Sequence, residues 1–421
     1  MSQTYREPVG LERPLIRGKT ATVLLDLVRS ETFTLVLLVA AALFLAFYNL
    51  GLNPRPWNDE GAYLSLAKTL AKDGVYAVRT SAGYETFGAV QSVGPTLIVP
   101  IGLSFRLLGT GLVQGRLVTS SLLVLTLIAF YFCGRLLFGR RAAIFAAFLL
   151  VASPASGYLA YGRSALGDIP ALGFFLTGWF LWVQGRRRQR NWLFVLAGLL
   201  VGAAMVTKSQ YVLVGIPTLG LVAVLDLIYY RQRNFPSLVV VGAIALACFA
   251  AFWAWQVAYF GPATFQENAV KAAQLAAATK GLTGEAIKTL IGPSSGYFYF
   301  YWGFAALLYA GLISSRRTKD AVPSAFLWIF AILWLACYLV LFVPTTRYSL
   351  AAAAITALFV GKLAGDLLSG LSNSWRSVWQ DLRPAVVSRA RGSTVPLALG
   401  TLVALLTLGL LTAFQLQRTV R

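Results

Sequence analysis

The sequence predicts an all-α integral membrane protein with about eleven transmembrane helices. Three observations predict it. First, 58% of the 421 residues are hydrophobic and only 12% are charged, about half the charged share of an ordinary soluble domain. Second, the apolar residues come in blocks of roughly 18–24, the length a helix needs to cross about 30 Å of hydrocarbon. Blocks such as 115–137 and 237–260 lack the polar face of a soluble core helix. Third, every second connection between blocks is basic, the signature of cytoplasmic loops.

The expected spans are 33–50, 115–137, 142–157, 166–184, 192–206, 209–230, 237–260, 296–314, 322–343, 348–369 and 395–414. Segment 1–32 is placed in the cytoplasm, with Arg6, Arg13, Arg17, Lys19 and Arg29. The inner connections then carry Arg135, Arg140 and Arg141, then Arg186, Arg187, Arg188 and Arg190. After them come Arg231 and Arg233, then Arg316, Arg317 and Lys319, and last Arg376, Arg383, Arg389 and Arg391. Segment 94–108 is apolar but bracketed by Pro95 and Pro100. A full span there would turn Arg186–Arg190 outward, so it is expected to lie in, or only partly enter, the outer leaflet. Residues 33–369 thus form the transmembrane module, with long outer loops at 51–114 and 261–295. The second loop is Ala-rich and reads as a pair of surface helices. Residues 370–394, with Trp375, Arg376, Trp379 and Arg383, read as a cytoplasmic interfacial segment. Residues 395–421 hold the last span and an outer tail.

Composition narrows the function. The net charge is +21, but the basic residues sit in short loops between apolar blocks. They read as topology signals and contacts to anionic lipid head groups, not as a nucleic-acid surface. There is no histidine, which excludes His acid/base catalysis, a Ser-His-Asp triad and His-ligated metal. Cys133, Cys248 and Cys337 all lie inside apolar blocks and read as buried free thiols. The first 30 residues lack the short apolar core and cleavage site of a signal peptide.

On this topology the remaining charges gather at the outer boundary. Asp59 and Glu60 follow the first span. Arg163 and Asp168 lie between the third and fourth, in "YLAYGRSALGDIPALG". Lys208 closes the fifth, in "MVTKSQYVL", and Arg347 and Tyr348 close the ninth, in "VPTTRYSLA". Each alone has a structural reading: a snorkelling cation, an Arg163–Asp168 ion pair, or helix-dipole carboxylates at residues 59 and 60. Together, carboxylates can activate a hydroxyl and cations can hold a phosphate and its developing charge. The membrane interface is where a lipid phosphate is found.

These segments resemble a known superfamily, the GT-C glycosyltransferases, in the branch with protein O-mannosyltransferases and the lipid A aminoarabinose transferase. "WNDEGAYLSLAKTLAKDG" resembles the Asp-Glu segment that opens the first outer loop of that family. "GRLVTSSLLVL" resembles its Gly-Arg-Leu segment, and "FGRRAAIFAAFLLVASPASGYLAYGRSALGDIPAL" the block of Gly-Arg, Ala-rich helix, Ser-Pro, Arg and Asp. "LAGLLVGAAMVTKSQ" resembles the helix ending in Thr-Lys, and "TTRYSLAA" a later Arg-Tyr segment. The likeness runs over residues 33–220 and more weakly over 296–369.

The resemblance implies a GT-C fold and an inverting transfer of a sugar from a polyprenyl phosphate to an acceptor hydroxyl on the non-cytoplasmic side of a cell membrane. It implies Asp59 as general base, with Glu60 positioning the acceptor or the sugar. Arg163, Lys208 and Arg347 would hold the donor phosphate beside Tyr348, and Asp168 would orient Arg163 or contact the sugar. No essential cofactor is expected; any divalent cation would need oxygen ligands such as Asp59 and Asp168. The acceptor is a protein, lipid or glycan hydroxyl; which one, which sugar, and the oligomeric state stay open. Tyr63, Tyr84, Tyr297, Tyr299, Tyr301 and Trp302 are either sugar-stacking surfaces or an interfacial aromatic belt. Two other readings stand beside the transferase: a lipid-linked sugar transporter, and a non-catalytic subunit that keeps the fold.

Overall fold

The computed structural model describes residues 31–153, 157–278, 283–291, 302–342 and 345–385. Helix α1 (Glu31–Phe47) is the first expected span. The first long connection follows with α2 (Asn58–Asp73), a hairpin of β1 (Val78–Thr80) and β2 (Gly83–Glu85), the short α3 (Ala89–Ser92) and α4 (Pro95–Leu108). Next come α5 (Leu112–Phe138), α6 (Arg140–Ala152), α7 (Tyr158–Arg163), α8 (Asp168–Arg188) and α9 (Trp192–Thr207). Helix α10 (Gln210–Leu225) closes in a π turn (Asp226–Tyr230) and leads to α11 (Phe235–Phe260). The second long loop holds a helix pair, α12 (Pro262–Ala278) and α13 (Thr283–Ile291). The described chain ends with α14 (Phe304–Ser314), α15 (Ala321–Val340) and α16 (Thr346–Ala385). Segment 1–30, the expected span 395–414, Arg389, Arg391, Tyr297, Tyr299 and Tyr301 lie outside the described residues.

Among the described residues five helices are long and apolar enough to cross a membrane: Leu112–Phe138, Gln210–Tyr230, Phe235–Phe260, Ala321–Val340 and Thr346–Gly370. Shorter apolar helices accompany them, including Pro95–Leu108 and Trp192–Thr207. The chain is a mostly helical, multi-pass membrane protein. Two expected boundaries differ, one of them the span 142–157, which ends at Ala152. Instead of a span ending near 369 and a separate segment from 370, α16 runs 40 residues without a break, about 60 Å at 1.5 Å per residue. The sequence supplies no proline before Pro384 to stop it. By contrast, α6 stops at Ala152, just ahead of Pro154, which disfavours helix in the residue before it.

Two buried clusters organise the molecule. The larger lies within the bundle, around Phe130, Phe175, Trp179, Phe330 and Phe359. The smaller joins α2 and α4 through Leu66, Ala67, Leu97, Ile98 and Ile101, and takes in Ala165 and Leu166 from the α7–α8 turn. That turn therefore belongs to both halves, and the charged residues collect at the seam. Close helix approach uses small residues, as in membrane bundles generally: a Cβ on Gly361 of α16 would sit 2.4 Å from the carbonyl of Ala142 on α6.

Candidate functional site

Helix α2 decides where its two carboxylates go. Consecutive helical residues point about 100° apart, so Asp59 and Glu60 cannot share a face. Both lie in the first turn, at the positive end of the helix dipole, and the left-handed Gly74 (φ 71°) closes the other end. Glu60 turns inward and is fully buried. Its Oε1 accepts from Arg116 Nε at 2.8 Å and from the Ala165 N–H at 2.8 Å, and its Oε2 from Arg116 Nη2 at 2.7 Å. Arg116 Nη1 donates to the Leu50 carbonyl at 2.8 Å. One bidentate pair thus ties α2 to α5, to the start of the first connection and to the α7–α8 turn. It leaves Glu60 no surface open to a ligand.

Asp59 turns outward, its side chain 42% exposed. Its Oδ2 accepts from Arg347 Nη1 at 2.6 Å. Arg347 Nη2 donates to the Tyr348 hydroxyl at 2.9 Å, and its Nε lies 3.6 Å from Asp168 Oδ2. Asp168 Oδ1 in turn meets Lys208 Nζ at 2.9 Å. Lys208 also sits 5.1 Å from the centre of the Tyr348 ring, and the Arg347 guanidinium 4.8 Å from it. Two carboxylates and two cations alternate along this chain, so its net charge is zero. Burial pushes the Lys208 ammonium pKa down, but Asp168 pushes it up and the balance is upward, so Lys208 is a cation at neutral pH.

Lys208 is placed by its backbone. It leaves α9 in an extended conformation and bridges to Val93. Beside it, the Gly94 N–H meets the Thr207 carbonyl at 3.4 Å, and the Thr96 and Thr207 hydroxyls are 2.7 Å apart. A Cβ at Gly94 would fall 2.1 Å from the Val206 carbonyl oxygen, so only glycine lets α4 lie this close to the end of α9.

Asp59, Arg347 and Tyr348 line a cavity of about 340 Å³ together with Arg55, Trp57, Tyr161 and Ser164. Asp168 and Lys208 lie beneath it, each mostly buried. The α7–α8 turn does not form the expected Arg163–Asp168 pair. Asp168 faces Lys208 and Arg347, while Arg163 donates through Nη2 to the Tyr48 carbonyl and leaves its Nε buried without a partner. Of the expected aromatics, Tyr63 is buried with its hydroxyl 3.1 Å from Ser92 Oγ, and Tyr84 lies on the hairpin, donating to Asp73. Neither lines the cavity. Sequence reasoning assigned no role to Arg55 or Arg116. Arg116 carried a usable signal, a charge inside an apolar block; Arg55, in a polar loop, carried none.

The oxygen set is poorly suited to a divalent cation, which needs several free oxygen ligands. Both carboxylates are already paired with cations. Among the described residues no group of three or more His, Cys, Asp or Glu could hold a metal.

Residues 93–255 match the profile of the dolichyl-phosphate-mannose-protein mannosyltransferase family. An uncharacterised protein of Aquifex aeolicus is 26% identical over 179 residues, which are 42% of this chain and 34% of that protein. The chain therefore spans about a third of the length of that curated relative. ArnT from Cupriavidus metallidurans, solved bound to undecaprenyl phosphate, superposes with a TM-score of 0.61 at 19% identity, over 92% of this chain and 73% of that one. The Archaeoglobus fulgidus oligosaccharyltransferase gives a TM-score of 0.53 at 15% identity, over 89% and 55%. Its complex with an inhibitory peptide and a dolichol-phosphate gives 0.51 at 17%, over 88% and 54%. The chain therefore shares the fold of ArnT and of the archaeal oligosaccharyltransferase.

Proposed function

We propose that the protein transfers a sugar from a polyprenyl-phosphate donor to an acceptor hydroxyl, with inversion, at the non-cytoplasmic face of a cell membrane. The observation that carries this is the position of Asp59. It is the one carboxylate of the cluster that reaches the cavity, and Arg347, which faces the same cavity, holds it. Proteins of the same fold have been solved with undecaprenyl phosphate and with a dolichol-phosphate, which supports a lipid-phosphate donor. The alternation of basic loops supports a cytoplasmic N-terminus.

In the proposed step the acceptor oxygen attacks the anomeric carbon from the side opposite the phosphate. The bond from that carbon to the phosphate oxygen breaks, its electron pair stays on the phosphate, and the acceptor proton passes to Asp59. The phosphate is already a good leaving group, so no strong acid is required. Arg347 and Arg55 are the cations on the cavity wall and would meet the growing phosphate charge. Lys208 and Asp168 act one layer below, fixing Arg347 from the side away from Asp59. Glu60 acts as a positioning residue, anchoring the turn that presents Asp59. A role for Arg163 at the phosphate needs it to release the Tyr48 carbonyl. No step requires a metal, and sugar, acceptor class and oligomeric state stay open.

The test is transfer of radiolabelled sugar from a panel of polyprenyl-phosphate donors in membranes holding wild type or Asp59→Asn. Label reaching an acceptor with wild type alone supports the reading. Equal transfer by Asp59→Asn removes the base assignment. No transfer from any donor by folded wild type favours a non-catalytic subunit.

A further inference from the structure

The opposite end of the bundle carries a second cavity that the proposed transfer does not use. Helix α8 begins at Asp168, in the charged cluster, and ends at Arg188. Arg186 is therefore about 27 Å from Asp168 along the axis, at the other membrane boundary. There a cavity of about 560 Å³ is lined by Arg186, Arg187, Arg233 and Lys319, with the amides of Gln189, Asn191, Gln232 and Asn234 among them. Its one acid, Asp320, is already paired with Arg187 at 2.7 Å. Arg233 and Lys319 form no hydrogen bond or ion pair among the described residues.

The walls are held in place before any ligand arrives. Buried Asp226 accepts from the Gln232 N–H at 3.1 Å, the Asn234 Nδ2 at 3.0 Å and the Phe235 N–H at 3.1 Å, which fixes the α10–α11 turn. Gln232 Nε2 donates to the Thr318 carbonyl at 2.6 Å, and the Arg187–Asp320 pair ties α8 to the same α14–α15 turn. Two residues on the rim, Gln189 (φ 53°) and Arg233 (φ 58°), have left-handed backbones. Glycine adopts that conformation freely, whereas a side chain there costs about 1–2 kcal/mol. Both side chains nonetheless line the cavity: Arg233 brings a guanidinium, while Gln189 Nε2 donates to the Arg186 carbonyl at 2.7 Å. Backbone strain that glycine would relieve tends to persist where a side chain has work to do.

We propose that this cavity binds a phosphate group, either the head group of an anionic phospholipid or a soluble phosphate. Arginine forks and amide donors suit its oxygens, and the place is where lipid phosphates lie.

The test uses the purified full-length protein. One arm measures retention of phosphatidylglycerol against phosphatidylcholine by native mass spectrometry. The other titrates inorganic phosphate and pyrophosphate into the delipidated protein by calorimetry. The key variant is Arg233→Gly with Lys319→Gln. Glycine relaxes the backbone at 233, so folding is preserved while two donors are lost. The control, Arg188→Gln with Arg190→Gln, removes the same charge at the same end without touching the cavity wall. The expected result is selective binding in at least one arm, weakened about fivefold for each cavity cation removed and little changed in the control. Selectivity for phosphatidylglycerol alone identifies a lipid site; binding of the inorganic anions alone identifies a soluble ligand. Equal weakening in both variants would reduce the effect to diffuse surface charge and overturn the proposal, as would no binding in either arm.

Discussion

Adjacent residues 59 and 60 should separate activity from stability. Glu60→Ala removes the acceptor of three hydrogen bonds and leaves Arg116, which is fully buried, with only the Leu50 carbonyl. Breaking a buried ion pair from one side costs about 3–5 kcal/mol, because the remaining charge is uncompensated. Asp59→Asn breaks one half-exposed pair, worth about 0.2–1 kcal/mol to stability, and asparagine keeps an oxygen for Arg347. Removing a general base typically lowers the rate about 10²–10⁴-fold. Thermal unfolding of purified protein and initial rates of sugar transfer should therefore move in opposite pairs. Glu60→Ala unfolds many degrees lower, whereas Asp59→Asn unfolds near wild type and transfers almost nothing. A double variant, Glu60→Met with Arg116→Met, should recover most of the lost stability, since no buried charge remains. Wild-type unfolding by Glu60→Ala, or a double variant no better than the single one, would refute the view of this pair as a structural pin.

Three further outcomes are expected. Gly94→Ala must move α4 or the end of α9, because the new Cβ would lie 2.1 Å from the Val206 carbonyl oxygen; lowered unfolding temperature and weakened donor binding in a direct binding assay are its signature. Asp168→Asn removes the main group that raises the Lys208 pKa, leaving burial and Arg347, which lower it, opposed only by the weaker pull of Tyr63 and Tyr348. In wild type the raised pKa gives stability that is present below the unfolded value of 10.5 and is lost only as pH climbs past the folded one. The variant reverses the sign, so its stability deficit, followed by thermal unfolding against pH, should shrink as pH rises towards 10. Arg55→Ala removes a cation at the cavity rim that has no protein partner among the described residues; donor KM should rise about tenfold with unfolding temperature unchanged.

The helices were legible because each long apolar block has one stable answer in lipid, where a backbone must satisfy its own hydrogen bonds. Pro154 was a readable stop for α6, yet the expected span 142–157 ran through it. The meeting of Asp59, Asp168, Lys208 and Arg347 was legible for a related reason: spans that alternate in direction put these ends on one face. Rotation about a helix was not legible. Nothing local says that Glu60 points at Arg116 and Asp59 at the cavity; that depends on how α2 docks on α5 through Leu66 and Ala67. The resting partners of Arg163 were not legible for the same reason. The α7–α8 turn joins the outer cluster through Ala165 and Leu166, and this carries Asp168 towards Lys208 while leaving Arg163 at the Tyr48 carbonyl. The run of α16 past residue 370 needed only the absence of a breaker, a weaker signal than hydrophobicity.

The charge chain explains why one arginine could serve both ends of the proposed reaction. Before transfer, the donor phosphodiester carries one negative charge and Asp59 another. Afterwards Asp59 holds the acceptor proton and is neutral, and the released phosphate monoester has gained the charge that Asp59 lost. Negative charge thus moves across the cavity, past Arg347, whose Nη1 sits 2.6 Å from the Asp59 carboxylate. As Asp59 is protonated its hold on that guanidinium weakens, just when the phosphate oxygens begin to attract it. Asp168 does not change, so Arg347 Nε keeps a fixed negative neighbour throughout, and Lys208 keeps Asp168 from collapsing onto Arg347 fully. A lysine at 347 could not do this, because one point charge cannot face Asp59 and Asp168 through separate nitrogens while a third reaches Tyr348. The alternation of two acids and two bases, which looks like mere self-neutralisation in the resting protein, is what lets a single cation follow the charge it stabilises.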